Sequence, residues 1–359
     1  MELHPKVRQL LRKVRRWSPS HWHEGNIRST RDPGYEAMMA REVANYRCVE
    51  NVHDLPGIFH YWSNKYLVPK YQEFGFSSPN SFYLQYMTLV CGKQPGLARF
   101  ISCGAGNCDT EVGLVESLAK NGVSNFVLEC LDVNPHMLER GKRLAQDKQV
   151  LDRVRFTQAD INSWQPQGHY QIVMANQALH HFVELETLFD KVHRVLAVDG
   201  FFLTDDMIGR NGHLRWPEAL EVFNTLWREL PERYKYNHLL KRTEIEYENW
   251  DCSKEGFEGI RAQDILPLLI RKFHFELFVG FANVIDIFID RCFGHNFDPA
   301  NPWDLAFIDK VHSTDEEYLK KGIIKPTHMT AALTKTQPAK MKTHLHLTPE
   351  FCVRRTDQS

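Results

Sequence analysis

The 359-residue chain lacks several features that would settle its class at once. It has no excess of charge: 44 Lys and Arg against 45 Asp and Glu leave a formal net charge of -1. Such a surface offers no field for gripping nucleic acid, so no nucleic-acid partner is expected. It also lacks a long apolar run. A membrane helix needs ~20 apolar residues, and the longest candidate, Phe278 to Ile289, is broken by Asn283 and Asp286. No membrane span is therefore expected. The eight cysteines (48, 91, 103, 108, 130, 252, 292 and 352) show no paired metal-ligand spacing, and several fall in apolar strand patterns. They read as reduced thiols of a cytoplasmic protein. There is no internal repeat. The length leaves room for one large domain with insertions, or for two small domains.

What is present begins with Arg99-Phe-Ile-Ser-Cys-Gly-Ala-Gly-Asn-Cys-Asp109, a strand, a tight glycine turn and a helix start. Gly104 and Gly106 permit the bend and the close approach of a ligand. A helix over Thr110 to Lys120 would aim its N-terminal amides into that bend, with Asp109 as its N-cap. A dinucleotide fingerprint wants a third glycine where Asp109 stands, to admit a pyrophosphate. A carboxylate there repels phosphate and suits a cationic nucleoside such as S-adenosylmethionine. Phe126 to Leu131 is a second strand, ending at Asp132, whose carboxylate can accept both hydroxyls of a ribose. Pro135 opens the next helix, His136 to Gln146. Val154 to Ile161 reads as a third strand, with Asp160 and Ile161 placed to take an adenine amino group and pack on its ring. Tyr170 to Asn176 and Gly200 to Asp206 are the fourth and fifth. Strands alternating with helical patterns predict a doubly wound, parallel α/β sheet with its ligand at the carboxyl ends of the strands.

These pieces together resemble the class I S-adenosylmethionine-dependent methyltransferases, in the broad group acting mostly on small molecules. Ser102-Cys-Gly-Ala-Gly-Asn-Cys108 is similar to the glycine motif, Leu131-Asp-Val-Asn-Pro135 to the ribose segment, and Ala159-Asp-Ile161 to the adenine site. Ala175-Asn-Gln-Ala-Leu-His-His-Phe182 resembles the segment after strand four, and Leu196-Ala-Val-Asp-Gly200 the turn before strand five. The resemblance covers about residues 96–207. It implies a Rossmann-like seven-stranded sheet, S-adenosylmethionine as cofactor, and a cofactor site of Ser102, Gly104, Gly106, Asp132, Val133, Asp160, Ile161 and Asn176. Two positions depart from the pattern. The usual acid before the glycines is Ser102, and the third glycine, two residues after the second, is Cys108.

Around this core the expected organisation is a helical N-terminal extension (1–95), a helical lid insertion (208–260), a completion of the sheet (261–335) and a loose polar tail (336–359). Between His4 and His23 a basic, helically spaced apolar pattern reads as an accessory helix, with a membrane-surface helix or transit peptide as its rival. The lid is expected to hold two helices, Trp216 to Leu230 and Lys241 to Trp250. Lys272 to Val279 and His328 to Thr334 read as strands six and seven.

Methyl transfer is a displacement at a sulfonium carbon, so the protein supplies mainly alignment and exclusion of water. An alcohol or phenol acceptor also needs a base, and a neutral imidazole suits that task near pH 7. His180 and His181, directly after strand four, are the catalytic candidates. Asp205, Asp206 and His213 are rivals from the end of strand five. Tyr61, Trp62, His213 and Trp216 are candidate substrate contacts. No metal is expected: Asp205 and Asp206 are adjacent on a strand and point to opposite faces, while His21/His23 and His344/His346 lack further ligands. The expected reaction is methylation of an O or N atom of a small molecule. Its rivals are a protein or nucleic-acid methyltransferase and a non-catalytic binding protein of the same fold.

Overall fold

The computed structural model describes residues 27, 29–47, 54–254 and 256–354. The basic segment between His4 and His23, with its histidine pair, lies outside them. The N-terminal extension is helical: α1 (Tyr35–Tyr46), α2 (Gly57–Trp62), a π-turn at Ser63–Leu67, α3 (Val68–Gln72) and α4 (Pro79–Lys93). The core follows as β1 (Ala98–Cys103), α5 (Asp109–Lys120), β2 (Phe126–Asp132), α6 (Pro135–Asp147), β3 (Val154–Gln158), β4 (Tyr170–Asn176), α7 (Leu185–Val195) and β5 (Leu196–Met207). Next come α8 (Pro217–Glu229), a hairpin of β6 (Tyr236–Asn237) and β7 (Arg242–Thr243), α9 (Ala262–Lys272) and β8 (His274–Phe281). The last elements are α10 (Val284–Ile289), α11 (Pro302–Lys320), β9 (His328–Thr334), β10 (Lys342–Thr343) and α12 (Pro349–Cys352). Several helices begin on a capping side chain followed by proline. Asn134 caps α6, Asn301 caps α11 and Thr348 caps α12, while Ser78 and Ser81 form a capping box at α4. The cap satisfies a free amide, and proline at the first position loses a donor that had no partner.

The main sheet has eight strands in the order β10-β8-β9-β5-β4-β1-β2-β3. β3 through β5 are parallel, and β9 is antiparallel to both β5 and β8. The chain reverses its winding between β1 and β4, which opens the ligand crevice of this architecture at their carboxyl ends. The strand expected to reach Ile161 ends at Gln158, leaving Asp160 and Ile161 in the turn beyond it. The turn expected at Leu196 to Gly200 is absorbed into β5, at a register shift opposite Tyr170 and Ile172.

Three further expectations are corrected. The sheet has eight strands rather than seven, because β10 pairs parallel with β8. The tail that supplies β10 is anchored: Leu347 and Cys352 are buried in the core, and His344 Nδ1 lies 2.9 Å from Glu73 Oε2. Lys241 to Trp250 is not a helix. Asn237 Oδ1 accepts from the amides of Leu239 and Leu240, Lys241 turns left-handed at φ 56°, and the chain returns as the hairpin, with Glu244 buried against Asn237 Nδ2.

The glycine turn shows how the chain tolerates its departures. Gly104 has φ 76°, and a Cβ there would lie 2.8 Å from that of Ala178, so only glycine fits. Cys108 takes φ 59°, the left-handed conformation expected of the missing glycine. It is the N-cap residue of α5, and Asp109 is the first helical residue, not the cap. The Cys108 side chain is accommodated from α6: a Cβ at Gly141 would fall 2.8 Å from both its Cβ and its Sγ. The glycine has in effect moved to the facing helix. Gly141→Ala should therefore lower stability by about 1–3 kcal/mol through overpacking, and adding Cys108→Gly should restore much of it. Chemical denaturation of the two variants checks this; an unchanged Gly141→Ala protein would contradict it.

Candidate active site

The carboxyl ends of β1 and β2 carry one half of the site. Asp132 Oδ2 accepts from the Gly106 amide at 2.8 Å, and Oδ1 from the Asn134 amide at 2.8 Å. Each oxygen thus takes one bond in fixed geometry and keeps a lone pair, the pair of acceptors a vicinal diol requires. Val133 is half-buried beside it, its carbonyl accepting from Gln158. Asp160 is held by Asn162 on one oxygen and by the Tyr35 hydroxyl on the other, at 2.8 Å. Ile161 is buried against the same end of the sheet. Helix α1 lies across this half. Tyr35 reaches Asp160, the Val43 carbonyl accepts from Asn134, and the Tyr46 carbonyl accepts from Arg140.

The acid missing from the glycine motif returns from another direction. Ser102 Oγ donates to Glu111 Oε1 at 2.6 Å, and both residues are buried. Glu111 stands in the first turn of α5, so its carboxylate occupies the end of β1 beside the serine that replaced the acid. Burial pushes Glu111 up to about 7, against partial relief from the Ser102 hydroxyl. Asn176, at the end of β4, lies between Tyr83 and Thr110 in the same corner.

The second half gathers histidines. Asp206, fully buried, accepts from the amides of Ala178, Leu179 and Met207, and its Oδ1 lies 2.6 Å from His180 Nδ1. That fixes the ring so that Nε2 faces Glu258 Oε1 at 3.3 Å. The same oxygen lies 2.6 Å from His213 Nε2, and Glu258 Oε2 lies 3.6 Å from His181 Nε2. Burial alone would lower His180, but Asp206 and Glu258 outweigh it and hold it at about 10. Burial keeps His213 below its ordinary value despite Glu258. Burial would raise Glu258, but the three histidines drive it well below the carboxylate range. His181 Nδ1 is buried without a hydrogen-bond partner, 3.4 Å from Glu42 Oε1. The His181 ring also lies close enough to Asp132 to oppose the rise that burial imposes on that carboxyl, so the two halves adjoin.

Asp205 and Asp206 do point apart. Asp205 faces Thr330, Gln177 and Tyr71, and burial raises it to about 6. His213 joins the histidine cluster, but the other substrate candidates do not. Tyr61 donates to Asp309, and Trp62 donates to His312, both on α11; Trp216 packs under Arg354. Tyr61 and Trp62 stand in a stretch that mixes aromatic and polar groups, and the polar partners they meet are side chains of α11. Sequence reading missed Glu111 and Glu258. Glu111 was findable as an acid one turn into the helix after a motif lacking one. Glu258 lies 45 residues beyond His213 in a loop of ordinary composition, and only folding brings it home.

Glu111 yields a pH signature. Its carboxyl is raised in the folded protein, so its contribution is fully present below about pH 4.5 and is lost as pH rises through about 7. Glu111→Gln removes that loss. The variant should gain on the order of 3 kcal/mol relative to the parent at pH 8, and the difference should shrink towards zero below pH 4.5. Urea denaturation across that range checks it; a pH-independent difference would overturn the assignment.

Residues 101–200 match the model of a family described as a methyltransferase domain. The chain is 30% identical over 213 residues to the uncharacterized methyltransferase YcgJ of Bacillus subtilis (strain 168), spanning 54% of this chain and 83% of the relative. It is 23% identical over 279 residues to the ubiquinone/menaquinone biosynthesis C-methyltransferase UbiE of Shewanella baltica (strain OS155), spanning 76% of this chain and 99% of that one. Among solved structures, geranyl diphosphate C-methyltransferase from Streptomyces coelicolor aligns at 12% identity and a TM-score of 0.42, over 83% of this chain and 98% of the other.

Proposed function

The chain belongs to the S-adenosylmethionine-dependent methyltransferases, and from that premise we propose that it methylates an O or N atom of a small molecule, oxygen being favoured. S-Adenosylmethionine supplies an electrophilic methyl carbon; the chain's residues hold, align and desolvate. Asp132 takes the ribose diol, Gly104 and Gly106 border the cofactor with Val133 and Asn176, and Asp160 and Ile161 flank the adenine. Glu111, reached through Ser102, faces the methionyl ammonium in place of the missing acid. That substitution, with Gly141 offsetting Cys108, supports a working site over a degenerate one.

One observation carries the oxygen preference: a part-buried histidine–carboxylate cluster, with His180 at its buried end, adjoins Asp132. A hydroxyl acceptor must lose a proton, and His181, whose Nδ1 makes no hydrogen bond, is the base to receive it. His180, a cation between Asp206 and Glu258, stabilises the developing oxyanion. A site roofed by α1 and walled by the loops bearing His213 and Glu258 suits a small acceptor over a macromolecular one.

Asp132→Ala should weaken S-adenosylhomocysteine binding roughly 10- to 150-fold in calorimetry, the loss expected for hydrogen bonds to a charged group. His181→Ala should spare that binding and slow turnover by about 10²–10⁴. Labelled methyl transfer into a metabolite extract, and not into protein or nucleic acid, supports the small-molecule reading. Full activity in His181→Ala, or label in macromolecules alone, would sink it.

A further inference from the structure

We propose that His180, His213 and Glu258 bind a divalent transition-metal ion, which receives the hydroxyl oxygen of the methyl acceptor. The ligand atoms, one from each residue, all lie within 4.8 Å of one another. Two imidazole nitrogens and one carboxylate oxygen form the set that leaves positions open on a non-haem iron(II) or zinc ion. Magnesium prefers oxygen donors and would fit it poorly.

Three features support the cluster as a built site. The first is the carboxylate behind His180. Asp206 accepts from His180 Nδ1 and is itself fixed by three backbone amides, so Nε2 is oriented inward. A carboxylate behind a ligating histidine sets its tautomer and strengthens its donation. The second is the conformation of His213. It sits at φ 55°, beside Gly212 at φ 64°, in a left-handed stretch that a histidine adopts at some cost. The third is the join between the two loops. The Gly212 amide donates to the Gly259 carbonyl, and a Cβ at Gly259 would press within 3.0 Å of the backbone nitrogens of Gly212 and His213. The loops therefore meet closely at the point where His213 and Glu258 converge. Such local strain persists where surrounding structure enforces it.

The ion's use rests on the methyl-transfer reading above; its binding does not. Bound to the ion, the acceptor hydroxyl becomes more acidic and passes its proton to His181. Its oxygen lone pair then forms the O–CH3 bond as the S–CH3 bond breaks. The S–CH3 electron pair stays on sulfur, giving S-adenosylhomocysteine.

The test begins with chelator-treated full-length protein titrated with cobalt(II), read by its visible absorption, with zinc as competitor. One equivalent should bind per chain. His213→Ala and Glu258→Gln should each abolish the spectrum, and Asp206→Asn should weaken binding roughly 10- to 100-fold. Zinc should raise the unfolding temperature of the parent and not of His213→Ala, which controls for misfolding. No cobalt spectrum and no zinc stabilisation up to millimolar ion would overturn the site. Full methyl transfer by the metal-free protein would overturn its role in the reaction. Loss of S-adenosylhomocysteine binding by the parent would instead count against the methyltransferase site, independently of the cobalt result.

Discussion

The Asp206 carboxylate is the constraint on which the active end of the sheet depends. It stands at the end of β5, fully buried, and would be costly there without partners. Amides from two segments supply them: Ala178 and Leu179 from the turn after β4, and Met207 from its own strand. The remaining donor is His180. One side chain thus fastens the β4 turn to β5 and aims an imidazole at the next loop. Substituting it would release both the turn and the histidine, so structural and chemical roles cannot be separated at this position by a single alanine.

Asp205 shows the complementary arrangement. It faces the opposite side of the strand from Asp206, towards the hydroxyls of Tyr71 and Thr330 and the side-chain amide of Gln177. The strand pleat divides two adjacent carboxylates between a polar plug under the N-terminal helices and the chemistry on the other face. Both halves belong to one sheet end, which Tyr71 on one side and Tyr35 on the other tie to the helical extension.

Strands β2 and β4 were legible because each is a short, largely apolar run ending at a polar residue, Asp132 and Asn176. The order His180, Gly104, Asp132, Asp160 then falls along the carboxyl edge by the rules of winding. Compensation was harder to read. Ser102 and Cys108 looked like losses because a linear motif records only its own positions, whereas Glu111 and Gly141 restore charge and space from neighbouring helices. Long-range partners were invisible for a plainer reason: nothing local to Glu258 distinguishes it from any loop acid. The tail was misjudged because polar composition hid the few residues that anchor it, Leu347 and Cys352.

The Tyr35 hydroxyl on Asp160 has a consequence for molecular discrimination. The carboxylate expected to meet the adenine amino group already has a protein donor. Its Oδ2 takes that one bond and keeps a lone pair, so an incoming adenine amino group would add a second donor without displacing the tyrosine. Tyr35 would then fix the direction from which a base can approach the carboxylate. A base presenting an acceptor at that edge would meet an oxygen with no proton to give.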